Sequence, residues 1–221
     1  MLLVLTAVTG LVDAVSILRL GRVFVANMTG NVVFIGLALG GAPGFALAAS
    51  VVALAGFLVG AAVGGAAAGR LGRDRAVLLA AGCGSELVLL CGALVVATVA
   101  GEPFNGLSSA AIAGLSALAM GVQNAVARHL AVPDLTTTVL TMTLTGIAAD
   151  LRSRFRGAQL VRRLLAVATM LVGGFVGAEL LLHHSTAVTL ALVVGLLAAV
   201  TAGAAVATRG TGDWRAGAIP S

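Results

Sequence analysis

Apolar stretches broken by short polar punctuation fill this chain. Eight apolar segments run roughly over 2–18, 23–39, 44–69, 76–100, 107–127, 135–150, 164–182 and 185–207. The breaks between them are GGAPG at 40–44, RLGRDR at 70–75, GEPFNG at 101–106, an Arg-rich stretch at 152–163 and HHS at 183–185, and their Gly, Pro and charged residues mark turns. Several of the apolar runs are long enough to cross a bilayer as helices. The pattern also occurs twice: GLVDAVS at 10–16 returns as GVQNAVA at 121–127, with Asp13 falling on Asn124. Downstream of each phrase comes a polar break within apolar sequence, VANMTGNVV at 25–33 and TTVLTMTLT at 137–145. Thr29 falls on Thr141 and Asn31 on Thr143, while Met142 stands where the first copy has Gly30.

The repetition predicts an all-α integral membrane protein of two inverted-topology repeats, each with three transmembrane helices and one broken, re-entrant segment. Repeat one covers 1–100, repeat two 107–208, and 209–221 form a tail. Arginine placement favours six full spans over eight. With all eight segments crossing, the arginines divide 6 against 7, which gives no orientation. With segments two and six entering and leaving on one side, the division becomes 11 against 2, only Arg19 and Arg22 lying opposite. That arrangement predicts cytoplasmic termini, and an odd number of spans per repeat turns the second copy upside down.

Composition agrees: 60% of the 221 residues are apolar, 10% are charged and mean hydropathy is +1.13. All 13 basic residues are arginine, and beside apolar spans they read as topology signals rather than a nucleic-acid surface. The first segment lacks a basic leader and is interrupted by Asp13, so it reads as a retained helix rather than a signal peptide. Cys83 and Cys91 share one apolar segment and read as packing residues.

The polar breaks carry the candidate chemistry. In VFVANMTGN the residues at 23–25 favour extended chain, Asn27 and Thr29 are helix N-caps, and a half-helix follows over 31–39. Unwound backbone at membrane depth is tolerated where it is buried in protein or lines a cavity, so the two breaks are expected to meet at a central site. Asp13 is the sharpest candidate, because a charge at mid-membrane costs about 2.5–3.5 kcal/mol on insertion scales. Thr6, Gly10, Asp13 and Ser16 share its helix face. On the fifth segment Gly114, Ala117, Gly121, Asn124 and Arg128 form the matching face, with Gln123 beside it. The binding set is therefore Asp13, Asn27, Thr29, Asn31, Gln123, Asn124, Thr141 and Thr143, with Asp13 and Glu86 as proton sites. The bland alternative is that the threonines bond back to their own helices and the amides join neighbouring helices.

Gly60, Gly64, Gly65 and Gly69 have the small-xxx-small spacing of close helix contacts, and Gly173, Gly174 and Gly177 take that part in the second copy, with GGF at 173–175 echoing AGF at 55–57. Glu179 reads as an interfacial carboxylate. His183 and His184 lack a third ligand nearby, so no metal and no cofactor are expected.

GLVDAVS followed by VFVANMTGN resembles the N-terminal hallmark of the YoaK-like bacterial membrane proteins, also called domain of unknown function 1275. GVQNA at 121–125 and LTMTLT at 140–145 resemble that family's second half. The resemblance implies about six spans and names no substrate. The expectation is a small secondary transporter or permease for a small polar or anionic solute, coupled to a proton or cation. A passive channel and a non-transporting scaffold are the alternatives, and an enzyme is not expected. The partners expected are the lipid bilayer and the solute, with no nucleic acid; a homodimer of six-helix units is a plausible assembly.

Overall fold

Helix α1, Leu2–Arg19, is apolar along its length, yet it buries Thr6, Thr9, Asp13 and Ser16. The hydroxyls of Thr6 and Thr9 donate to the carbonyls of Leu2 and Leu5, four residues back. Such back-bonding lets a polar residue sit inside an apolar helix. The computed structural model describes residues 1–130, 144–145 and 157–209. Within them follow α2 (Met28–Leu39), α3 (Leu47–Leu71), α4 (Arg75–Ala100), α5 (Gly106–Leu130), α6 (Gly157–His183) and α7 (Thr186–Ala207). Asp74 caps α4 by accepting from the Ala76 and Val77 N–H groups, and Ser185 caps α7 by accepting from Val188.

Six of these helices are long and apolar enough to cross a membrane. The exception is α2, whose 12 residues extend about 18 Å at 1.5 Å per residue, against a hydrocarbon core of about 30 Å. The chain enters and leaves α2 at the same end of the bundle. Gly21 lies against Ala46, and Gly44 against the Arg22 guanidinium. Consecutive positive φ values at Gly21 (90°) and Arg22 (57°) turn the chain back after α1. Phe24 stacks on Phe34 at a centroid distance of 5.5 Å and Phe34 meets Phe45 in a tilted contact at 5.1 Å, closing the loop on itself. The Phe24 ring lies over Gly30, where a side chain would collide with it.

The core is built around α1 and α5. Of the apolar stretch of each helix, 56% is buried in α1 and 61% in α5, against 22–28% in the other four spans. The outer helices present Val63, Val88, Phe175 and Leu182 outward, as a lipid-facing surface requires.

Glycine seams join the inner helices to their neighbours. A side chain at Gly10 would strike Met170 and Gly174 of α6, and one at Gly173 would strike Ala7. In α3 and α5 a side chain at Gly121 would strike Phe57 and Ala61, and one at Gly60 would strike Leu118. The contacts correspond position by position: adding 111 converts Ala7 and Gly10 into Leu118 and Gly121, and adding 113 converts Phe57, Gly60, Ala61 and Gly64 into Met170, Gly173, Gly174 and Gly177. Gly64 completes the set by meeting Val122 and Ala125, as Gly177 meets Leu11 and Ala14. The echo of AGF by GGF is thereby corrected: Gly173 stands with Gly60, not Ala55, because the backbone approach fixes the register and the Phe does not. Gly65, Gly69 and Gly174 have no neighbour at their Cβ positions within 4 Å, so only part of each small-residue stripe is a seam within the chain.

Contacts of ascending number on both sides show that α1 runs parallel to α6, and α3 to α5. Helices α1 and α5 run antiparallel: Thr9 meets Gln123, while Leu2 and Leu5 share a cavity wall with Val126 and Leu130.

The two ends of the bundle are closed differently. At one, Arg19 donates to the Leu181 carbonyl and lies 3.6 Å from Glu102, whose other oxygen accepts the Thr186 N–H at 2.6 Å. At the other, Arg75 donates to the Leu130 carbonyl and Gly72 packs against His129. Arg19 and Arg22 thus share one end, and Arg70, Arg73, Arg75 and Arg128 gather at the opposite one.

Candidate functional site

Asp13 is 8% exposed, and its Oδ1 accepts from the Val25 N–H at 3.4 Å. The Ala26 N–H also faces the carboxylate. Both donors belong to the extended chain just ahead of α2, whose N-terminus carries partial positive charge. The carboxylate therefore ties α1 to the break in the second segment.

Asn31 sits one turn into α2 and is fully buried. Its Oδ1 accepts from the Phe24 N–H at 2.8 Å and its Nδ2 donates to the Phe24 carbonyl at 2.6 Å. This paired contact replaces the backbone partners that an extended strand at this depth would otherwise lack. Asn31 thus holds the break in shape. Asn27 occupies the N-cap position of α2 without a side-chain cap bond, and the helix starts at Met28, before the expected 31. Asn27 and Thr29 are both exposed. Thr29 lies inside the first turn of α2, not at its cap.

A second polar cluster joins three helices. Glu86 of α4 is 1% exposed, Gln123 of α5 is 4% exposed and Thr9 of α1 is completely buried. With its nitrogen turned toward Glu86, the Gln123 amide donates to Oε1 at 2.6 Å and Oε2 at 3.2 Å, and its oxygen accepts from Thr9 Oγ1 at 3.2 Å. With the amide turned the other way, its nitrogen donates to Thr9 Oγ1 at 3.2 Å. Beside Glu86 lies a small cavity of about 10 Å³, bordered by Leu5, Cys83, Gln123, Val126 and Leu130. That is room for about one water molecule.

Asn124 is half-buried and donates to the Met120 carbonyl at 2.8 Å. The structure therefore brings Gln123 to Glu86, and Asp13 to the stretch that Asn31 shapes. Thr9 and Asp13 are four residues apart, so both clusters open onto one face of α1. Thr141 and Thr143 lie outside the described residues, as does all of 135–150 except Leu144 and Thr145. Cys83 is buried at the cavity and Cys91 is half-buried, both as free thiols. His183 pairs with Glu179 at 3.3 Å. Among the described residues no three His, Cys, Asp or Glu side chains converge to hold a metal ion.

Thr9 was not among the residues singled out from the sequence. Its signal is weak, a single Thr in an apolar helix, although its place one turn before Asp13 marks the same face. Glu102 was read only as part of a turn. Burial acts to raise its pKa, but the Thr186 hydrogen bonds and the Arg19 charge outweigh it and hold the carboxyl below its usual range.

A family model for a protein of unknown function, DUF1275, matches residues 1–203. The chain belongs to this family. It is also 33% identical over 153 residues to the UPF0700 transmembrane protein YoaK of Bacillus subtilis (strain 168), a match covering 69% of this chain and 66% of that relative. The matched region thus spans just under two thirds of the relative's length. No solved structure matches. Six apolar spans among the described residues and this family membership make the chain a multi-pass membrane protein of the lipid bilayer.

Proposed function

We propose that the protein is a small permease, a secondary transporter that couples a proton or cation to a small polar or anionic solute. The observation that carries this reading is the buried Asp13 carboxylate on the donors ahead of the short helix α2. Its coupling follows from charge. An ionised Asp13 fills the positive end of α2 and excludes an anion there. A proton on Asp13 removes that charge and frees the Val25 and Ala26 N–H groups for a solute oxygen. Proton and solute then occupy the site together, which is the bookkeeping of a symporter.

The matched glycine seams and the antiparallel run of α1 and α5 support two inverted-topology repeats, 1–100 and 107–208. Transporters of this design rock one repeat against the other around a midplane site. In this reading the Arg19–Glu102–Thr186 contacts close one end of the pathway, and Thr141 and Thr143 complete the site from the second repeat. The arginine-rich end faces the cytoplasm of a bacterial inner membrane. Cysteines placed at Arg22 and Ala42 are then labelled from outside the cell and one at Arg73 only from within; labelling of Ala42 from the cytoplasm alone rejects the re-entrant arrangement.

The direct test is a thermal-shift screen of small polar and anionic metabolites on purified protein. A true solute at 100 times its Kd stabilises the fold by about 2.7 kcal/mol. The shift should grow as pH falls in wild type and lose that pH dependence in Asp13→Asn, whose side chain is neutral at every pH. A solute whose shift keeps its pH dependence in Asp13→Asn removes Asp13 from the coupling. A channel would instead give flux without saturation, and a scaffold would show no solute shift at all.

A further inference from the structure

Glu86, Gln123 and Thr9 form a chain of donors and acceptors that can be satisfied in two ways, one for each protonation state of the acid. If Glu86 is ionised, its oxygens only accept. The Gln123 nitrogen must then face them, at 2.6 and 3.2 Å, leaving the amide oxygen to accept the Thr9 hydroxyl proton at 3.2 Å. If Glu86 carries a proton, its O–H donates to the amide oxygen. The amide nitrogen then donates to Thr9 Oγ1, and the Thr9 hydroxyl is free to donate to the Leu5 carbonyl at 2.9 Å. In the crossed combinations the ionised carboxylate meets the amide oxygen, acceptor against acceptor, or the protonated carboxyl keeps its O–H without an acceptor, and each leaves a buried polar group unsatisfied.

We propose that Glu86 is a proton-binding site whose occupancy sets the orientation of the Gln123 amide, loaded through the cavity between α1, α4 and α5. The proton adds to a Glu86 oxygen, the amide turns by half a rotation, and the Thr9 hydroxyl, keeping its own proton, swings its hydrogen bond from the amide oxygen to the Leu5 carbonyl. The new O–H on Glu86 is the one covalent change. The cavity leads from Glu86 toward Leu5 and Leu130, the end of the bundle where Arg75 meets α5. Thr9 carries the change to α1 one turn from Asp13, so the amide reports the proton to the site proposed above.

The surrounding groups leave Glu86 as the acid of this cluster. On α4 the nearest ionisable neighbour is Cys83, in the same cavity wall. The amino group of Met1 acts on Cys83 through its charge. From α5 comes the neutral Gln123, with Arg128 and His129 further on at the helix end. Helix α1 offers Asp13 as its one acid, with Arg19 at its far end. Helix α3 has one ionisable residue, Arg70, in its last turn, and α7 has none.

Protonation and transport are separately measurable, so this inference can fail while the permease reading stands. The chain has two glutamines, Gln123 and Gln159, so glutamine side-chain 15N labelling gives two amide signals, assigned by Gln123→Leu. In protein reconstituted in lipid nanodiscs, the Gln123 signal should move between acid and alkaline pH, and the movement should disappear in Glu86→Gln. A Gln123 signal indifferent to pH, or one that still titrates in Glu86→Gln, overturns the proposal. Should Glu86→Gln not fold, infrared pH-difference spectra of Gln123→Leu decide. There the protonated-carboxyl band should shift to the position of an acid without a hydrogen-bond acceptor, and a band unmoved from wild type also overturns it.

Discussion

Helices α1 and α5 are built alike and charged differently. Each is the most buried helix of its half, and each approaches a neighbour through glycine at matched positions, Gly10 against α6 and Gly121 against α3. The polar groups are not matched. Asp13 corresponds to Asn124, Thr9 to Met120, and Gln123 to Val12, while α7 has no ionisable residue to set beside Glu86. Backbone-to-backbone contacts tolerate no side chain, so the seams are held in both halves. A buried hydrogen-bonding group needs a partner wherever it lies, and here Asp13 finds one in the Val25 N–H and Glu86 in Gln123.

The largest effects should come from breaking the shared part. Gly60→Ala and Gly173→Ala each force a methyl group into a facing backbone, and overpacking of that kind costs about 1–3 kcal/mol. Thermal unfolding in detergent should fall by similar amounts for the two, while Gly65→Ala and Gly174→Ala, which meet nothing, should leave it unchanged. Unequal losses at Gly60 and Gly173 would break the correspondence.

Next in size is the unshared part. Gln123→Leu strips Glu86 of its hydrogen-bond partner and should cost about 1–3 kcal/mol, with most of the loss recovered in the Glu86→Leu, Gln123→Leu double variant. Val12, the counterpart position, should tolerate Leu at a cost near 1 kcal/mol. Additive losses in the double variant would show that the two residues do not interact.

Asn31→Ala removes both bonds to Phe24 and should cost about 1–2 kcal/mol, expressed locally as faster amide exchange over 23–28. Uniform exchange across all the helices would contradict a local clamp.

The smallest effect concerns Glu102. Its folded pKa is depressed, so its contribution is present above the unfolded value of about 4.3 and disappears as pH falls through the lower folded value. Partial exposure of Arg19 and Glu102 limits it to about 0–1 kcal/mol. Unfolding between pH 5 and about pH 3 should be slightly steeper in wild type than in Glu102→Gln.

Hydropathy made eight apolar segments legible, and arginine placement reduced the expected full spans to six. The arginine count pointed to segment two as a re-entrant loop, and Gly21, Arg22, Gly44 and Ala46 stand together as that reading requires. Asp13, Gln123 and Glu86 stood out because polar groups are costly in an apolar helix. Their partners were not legible. That Gln123 reaches Glu86 depends on how α5 packs against α4, and one sequence carries no record of which helix faces which. The service of Asn31 to the backbone was hidden for a related reason: an amide shaping an unwound turn and an amide binding a solute have the same signature.

Coupled transport along the polar line of α1 is open to direct measurement. In proteoliposomes loaded with a pool of small polar and anionic solutes, an imposed pH gradient should drive redistribution of at least one of them through the wild-type protein. Asp13→Asn should abolish that gradient-driven movement, while Asn124→Ala should retain most of it. Redistribution by Asp13→Asn at the wild-type rate would contradict the central claim.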